Sequence, residues 1–233
     1  MPRVHLLSNP RSGSCYLHDL LNCHPEIEIA DDELLDDQNG LLENPLELVQ
    51  QSLAALQSTF VGFKVFPEQV YFQGLDFGEL LQATGTTHVI VLWREGILEA
   101  LTSRRIAVQT KEWYSLNKNG TTQKVTICPK DLKTYINKLY SDWEKIGIQW
   151  PVGVRPIFVK FEDLISQPME EVKRILTEIG LTFDNVDFVA TSERQNPAKI
   201  EDKVINFHEL PPEHRDAKLN VEKILRDKFI LSI

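Results

Sequence analysis

An α/β fold built on a parallel sheet is predicted by three features of this 233-residue chain. Short β-branched or aromatic runs recur along it, helical patterns lie between them, and Gly, Pro or polar residues mark the boundaries. Strands that alternate with helices pair in parallel through right-handed crossovers, and the helices then cover both faces of the sheet. Ligands of such folds bind at the carboxyl ends of the strands.

The first strand is expected at residues 4–8, and a loop of small residues with one arginine joins it to an amphipathic helix over 15–23. A helix over 45–57 precedes a strand at 60–66, and a helix over 77–83 precedes a strand at 88–93. The helical pattern at 97–110 is followed by an excursion, 111–127, in which Asn117-Lys118-Asn119-Gly120 reads as a turn with Trp113 and Tyr114 before it. A helix over 132–146 and a strand at 157–161 come next. Two further helices, 170–179 closed by Gly180 and 221–228, complete one domain over residues 1–233.

Lys and Arg number 25 against 34 Asp and Glu, and the net charge of −9 argues against general nucleic-acid binding, which depends on neutralising phosphates. Three cysteines, Cys15, Cys23 and Cys128, without C-x-x-C spacing, point to reduced thiols and neither a disulfide framework nor a zinc site. No run approaches the roughly 18 to 20 apolar residues that span a bilayer, and the N-terminus lacks a basic region followed by an apolar run, so a cytoplasmic protein with no membrane span is expected. Residues 26–37 hold seven acids and no lysine or arginine, which reads as a solvated surface loop.

The junction Ser8-Asn9-Pro10-Arg11-Ser12-Gly13-Ser14-Cys15 carries the functional signal. Backbone N–H groups at a helix start have no intrahelical partner, the helix dipole adds partial positive charge, and Gly13 lets the backbone approach a ligand, so a phosphate-like anion fits. The loop lacks the second glycine and the lysine of G-x-x-x-x-G-K-[ST], which disfavours an ordinary nucleotide kinase, and it lacks the three spaced glycines of a dinucleotide site.

Pro10-Arg11-Ser12-Gly13-Ser14-Cys15 followed by His24-Pro25 resembles the phosphosulfate loop of sulfotransferases that use 3′-phosphoadenosine-5′-phosphosulfate (PAPS). Arg94, after a strand, with Ser103 nine positions on, is similar to the family's 3′-phosphate motif. Phe161-Glu162-Asp163-Leu164 looks like the family's Y-E-D-L turn. Gln195-Asn196-Pro197 and Ile205-Asn206-Phe207-His208-Glu209-Leu210 are similar to stretches of the bacterial carbohydrate sulfotransferases of nodulation-factor type. The resemblance runs from about residue 4 to residue 210 and implies a P-loop-kinase-like parallel sheet flanked by helices on both faces.

It also implies roles. Arg11, Ser12, Gly13, Ser14 and Cys15 would grip the 5′-phosphate and sulfonate, and Arg94 and Ser103 the 3′-phosphate, with Thr102 the rival of Ser103. Glu33, in Asp32-Glu33-Leu34-Leu35, would be the general base, with Asp31, Asp32 and Asp36 as alternatives. Lys64 would contact sulfonate or acceptor; the competing reading is a strand-end lysine in solvent. Arg194 and Lys199 would close over the nucleotide; Trp113 and Tyr114 could stack on a sugar or on adenine, and the competing reading is local core beside a turn. His24 reads as a helix-end polar contact. The acceptor would be a small-molecule, glycan or lipid-linked hydroxyl or amine, neutral or cationic because of the acidic run, and no metal is implied. Cys15 replaces the family's threonine or serine, which keeps a cysteine-dependent enzyme in view, although no histidine is placed as its base. With Cys15 in place of threonine and Glu95-Gly96 in place of the usual arginine-asparagine, an inactive nucleotide-binding module stays open, and a nucleotide-binding kinase-like enzyme is a separate alternative.

Overall fold

The computed structural model describes residues 2–36, 40–112, 123–184, 186–190 and 198–229. Five strands, β1 (Arg3–Ser8), β2 (Ile27–Ala30), β3 (Phe60–Val65), β4 (Thr86–Trp93) and β5 (Arg155–Lys160), pair in parallel in the order β2-β3-β1-β4-β5. The connecting helices are α1 (Ser14–Asn22), α2 (Pro45–Ala55), α3 (Pro67–Phe72), α4 (Phe77–Ala83), α5 (Ile97–Thr110), α6 (Pro129–Ile148), α7 (Phe161–Ser166) and α8 (Pro168–Ile179). Three more, α9 (Ile200–Lys203), α10 (Pro212–Arg215) and α11 (Val221–Phe229), follow the sheet.

Side chains alternate between the faces of a strand, and β1 shows the consequence directly. Leu7 joins a core with Val89 and Val91, covered by Val49 of α2, Leu80 of α4, Trp143 of α6 and Leu225 of α11. Leu6 faces the other way, with Ile90 and Leu92, under Leu17 and Leu21 of α1 and Val172 and Ile175 of α8. Helices therefore cover both faces of the sheet. Each fully buried aliphatic side chain contributes roughly 1.5–3 kcal/mol. A third, smaller cluster joins Leu98 and Leu101 of α5 to Leu132, Val204 and Leu210.

The acidic stretch departs from the expected loop. It contains β2 and a 3₁₀ turn over Asp32–Leu35, with Ile27, Ile29 and Leu35 buried. Glu-Ile-Glu-Ile is an alternating pattern, and on this edge strand the isoleucines pack inward while Glu28 accepts hydrogen bonds from Gln57 N and Ser58 Oγ. Charge count hid the alternation. Elsewhere Pro67 and Phe161 open helices at once, so β3 stops at Val65 and β5 at Lys160. Pro129 stands at the first turn of α6, where its missing N–H costs nothing, and the helix starts earlier than the apolar periodicity alone indicates.

Candidate functional site

Ser8 is in register with Leu92, so the loop after β1 stands beside the end of β4. Asn9 organises it. Its Oδ1 accepts 2.6 Å from Trp143 Nε1 of α6, and its carbonyl accepts from Ser12 Oγ at 2.5 Å and from Ser12 N at 3.3 Å. Arg11 and Gly13 both take left-handed backbone, φ 67° and 86°. For Arg11 this conformation is costly, and such strain persists only where surrounding contacts hold it. α1 begins at Ser14 after Gly13, with no capping side chain and no acidic residue of its own in its first turn, so its own residues do not offset the positive end of the dipole.

Arg11 Nε donates to Ser103 Oγ at 3.0 Å, which ties the loop to α5. Thr102, the rival position, is fully buried, and its Oγ1 has no hydrogen-bond partner among the described residues. The Arg94 guanidinium carbon lies 4.7 Å from the centroid of the Phe161 ring. A Cβ on Gly13 would come within 2.6 Å of that same ring. Arg11, Gly13, Phe161, Arg94 and Ser103 thus occupy one edge of the sheet, at its carboxyl ends.

Glu162 stands in the Y-E-D-L-like turn, and the sequence gives it no role of its own. Its carboxylate accepts from Glu95 N at 3.1 and 3.2 Å and from Gly96 N at 3.4 Å, so it fills the opening of α5. Asn206, in the C-terminal resemblance, is also structural. Its amide bonds both the N–H and the C=O of Ile127, at 3.0 and 2.9 Å, and pins the chain ahead of α6. A signal for either would need knowledge of contacts between segments distant in sequence.

Lys64 is not a solvated strand-end lysine. It is 1% exposed, and its Nζ lies 2.5 Å from Asp31 Oδ1 and 3.5 Å from Cys15 Sγ. The parallel sheet carries it inward between α1 and the end of β2, where an ammonium needs a counter-ion. His24 makes the expected helix-end contacts, Nε2 with Thr182 O at 3.1 Å and Nδ1 with Glu26 N at 3.2 Å. Lys199 is exposed at the start of α9. Arg194, Gln195, Asn196, Pro197, Trp113, Tyr114 and the 117–120 turn lie outside the described residues, and so does the side chain of Glu33, whose backbone is in the 3₁₀ turn.

On α6, burial pushes the Tyr135 phenol up to about 12 against the pull of Arg104 and Arg94. A separate pocket of about 330 Å³ opens at the tips of β4 and β5, lined by residues including Trp93, Phe158, Lys160, Arg174 and Glu222. Among the described residues no helix is long and apolar enough to cross a membrane.

No family profile matches the chain. Nodulation protein H of Rhizobium tropici is 26% identical to it over 219 residues, covering 88% of this chain and 86% of that protein. Nodulation protein H of Rhizobium meliloti (strain 1021) is 26% identical over 220 residues, covering 88% of each. A sulfotransferase from Alicyclobacillus acidocaldarius has a similar fold, with a TM-score of 0.52 at 14% identity over 84% of this chain and 87% of that one. The chain is thus similar in sequence to nodulation protein H over most of its length, and its fold is similar to that of the Alicyclobacillus sulfotransferase.

Proposed function

We propose that the protein transfers a sulfonate from PAPS to a hydroxyl or amine of a small-molecule, glycan or lipid-linked acceptor. The observation that supports this reading is the contact of Arg11 with Ser103, which joins the two motifs proposed to hold the anions on the edge where Arg94 also lies. PAPS has anionic groups at both ends, and such an edge suits it.

In the proposed reaction the acceptor oxygen or nitrogen attacks sulfur in line. Its new bond to sulfur forms as the bond from sulfur to the phosphate oxygen breaks, 3′,5′-ADP leaves, and the acceptor's proton passes to a carboxylate, with Glu33 the proposed base. Arg11 and the backbone N–H groups from Ser12 to Cys15 would hold the 5′-phosphate, whose oxygen gains charge as it leaves. Arg94 and Ser103 would hold the 3′-phosphate. Lys64 would contact the sulfonate or acceptor, and Arg194 would close over the nucleotide. The acids around β2 favour a neutral or cationic acceptor over a polyanion.

Thermal stabilisation tests the donor site. At 100 times its dissociation constant, 3′,5′-ADP should add about 2.7 kcal/mol, and ATP much less. Stabilisation by ATP alone would identify a kinase-like enzyme instead. Transfer from PAPS is then measured with neutral sugars, amines and a heparin-like polymer. Preference for the polymer overturns the acceptor assignment, and nucleotide binding without transfer to any acceptor marks an inactive module.

A further inference from the structure

We infer that Asp31 is a positioning residue for the transfer step: its carboxylate holds the ammonium of buried Lys64 against the first turn of α1. The inference rests on the sulfonate-transfer reading, because only then is the start of α1 the place where the reacting group sits.

Strand register brings the pair together. Ala30 of β2 is opposite Phe63 of β3, so the next residues along each chain, Asp31 and Lys64, meet side by side. On its other side Lys64 is opposite Leu6 of β1, the strand that leads into the anion loop. Its Nζ reaches both Asp31 Oδ1 and Cys15 Sγ, at 2.5 and 3.5 Å, from a side chain that is 1% exposed. Cys15 is the second residue of α1. An ammonium so enclosed is costly unless an opposite charge faces it, and the half-exposed Asp31 supplies that charge.

The pairing divides the labour among the acids after β2. A carboxylate paired to an ammonium at this distance is a poor proton acceptor, because taking up a proton would forfeit the pair. Asp31 therefore serves Lys64, and the base is another group. Charged and titratable groups against Lys64 include Asp31, from the turn after β2, and Cys15, from α1. Removing the Asp31 charge takes one opposite charge from a buried ammonium, which shifts Lys64 toward losing its proton at a lower pH.

The test is the pH profile of kcat at saturating PAPS for the full chain and for Asp31→Asn, with thermal stabilisation by 3′,5′-ADP measured beside it. For the variant, kcat should fall at least about 10-fold, and the descending alkaline limb should move down by about one pH unit or more, while the ascending limb stays in place. Asp31→Glu should recover part of the rate. The variant should still be stabilised by 3′,5′-ADP. An unmoved alkaline limb overturns the inference, and so does loss of the ascending limb, which would make Asp31 the proton acceptor. Lys64→Gln gives a second route if Asp31→Asn does not fold: it should lower kcat to a similar degree and remove the alkaline limb set by the lysine. A Lys64→Gln profile that keeps the wild-type limb overturns the inference too. Failure of the wild type to bind 3′,5′-ADP overturns the sulfonate-transfer reading itself, whereas normal binding with an unmoved limb overturns only the role of Asp31.

Discussion

Two helices, α1 and α5, follow the paired strands β1 and β4 and open at the carboxyl edge of the sheet, yet their openings are treated differently. α1 begins at Ser14 after Gly13, with no capping side chain and no acid of its own in its first turn. α5 begins at Ile97 after Gly96, and the Glu162 carboxylate already takes the N–H groups of Glu95 and Gly96. A helix start attracts one anion. At α5 the protein supplies that anion itself, so the proposed hold on a 3′-phosphate falls to side chains, Arg94 and Ser103. At α1 the backbone remains suited to an anion from outside, with Arg11 beside it.

Removing Arg11 attacks that contrast most strongly. Arg11→Ala deletes the guanidinium bonded to Ser103, and both stabilisation by 3′,5′-ADP and the rate of transfer from PAPS should fall by roughly 100-fold or more in the corresponding constants. Arg11→Gly should lose as much function. Because the backbone there has φ 67°, the glycine variant should be about 1 kcal/mol more stable than the alanine variant in a urea titration. Equal stability of the two would mean that the left-handed turn is not retained.

Gly13→Val comes next. The new Cβ would meet the Phe161 ring at 2.6 Å, and the residue would sit at φ 86°, where a β-branched side chain is strained. Stability should drop by about 2–3 kcal/mol. Arg94 stacks on the same ring, so nucleotide affinity should weaken with it, as read by titration with 3′,5′-ADP. Wild-type affinity in a folded Gly13→Val protein would show that Phe161 does not couple the two clusters.

How legible these two helix starts were differs for a physical reason. The α1 site is local: strand, small residues, Arg11, Gly13 and helix lie within one stretch, and each has a propensity that points the same way. Arg94 was legible as the residue ending a β-branched run. Ser103 was preferred to Thr102 only on its interval from Arg94, because which helical side chain faces the loop depends on how α5 is rotated against the sheet. Glu162 caps a helix 67 positions earlier in the chain, and Trp143 fixes Asn9 across 134 positions, so neither pairing has a sequence signature. β2 was missed because its glutamates dominated a pattern whose isoleucines were the structural signal. For Lys64 the residues left a ligand contact and a solvated strand end both open, because its counter-ion Asp31 follows directly on the strand that had been missed.

Glu162→Ala would make the start of α5 resemble that of α1. The hydrogen bonds to Glu95 N and Gly96 N would be lost, and stability should fall by about 1–2 kcal/mol in thermal or urea unfolding. Affinity for 3′,5′-ADP should change less than 10-fold, since Glu162 belongs to the scaffold on this reading. A larger loss of affinity with no loss of stability would move Glu162 from cap to ligand contact.

The smallest effect is expected within the first turn of α1 itself. Cys15 lies 3.5 Å from Lys64 Nζ, and a thiol is a weak hydrogen-bond donor and acceptor. Threonine offers a stronger acceptor to the ammonium and a stronger donor to a phosphate oxygen, at a helix-propensity cost of a few tenths of a kcal/mol. Cys15→Thr should therefore leave stability nearly unchanged and keep the transfer rate or raise it a few-fold, measured at fixed PAPS. A thiol nucleophile would behave in the opposite way, because threonine cannot replace a thiolate and activity would disappear. Retention of activity would also sharpen the contrast between the helices: the opening of α1 would then act through backbone N–H groups and the cations Arg11 and Lys64, with the side chain at position 15 only adjusting their hold.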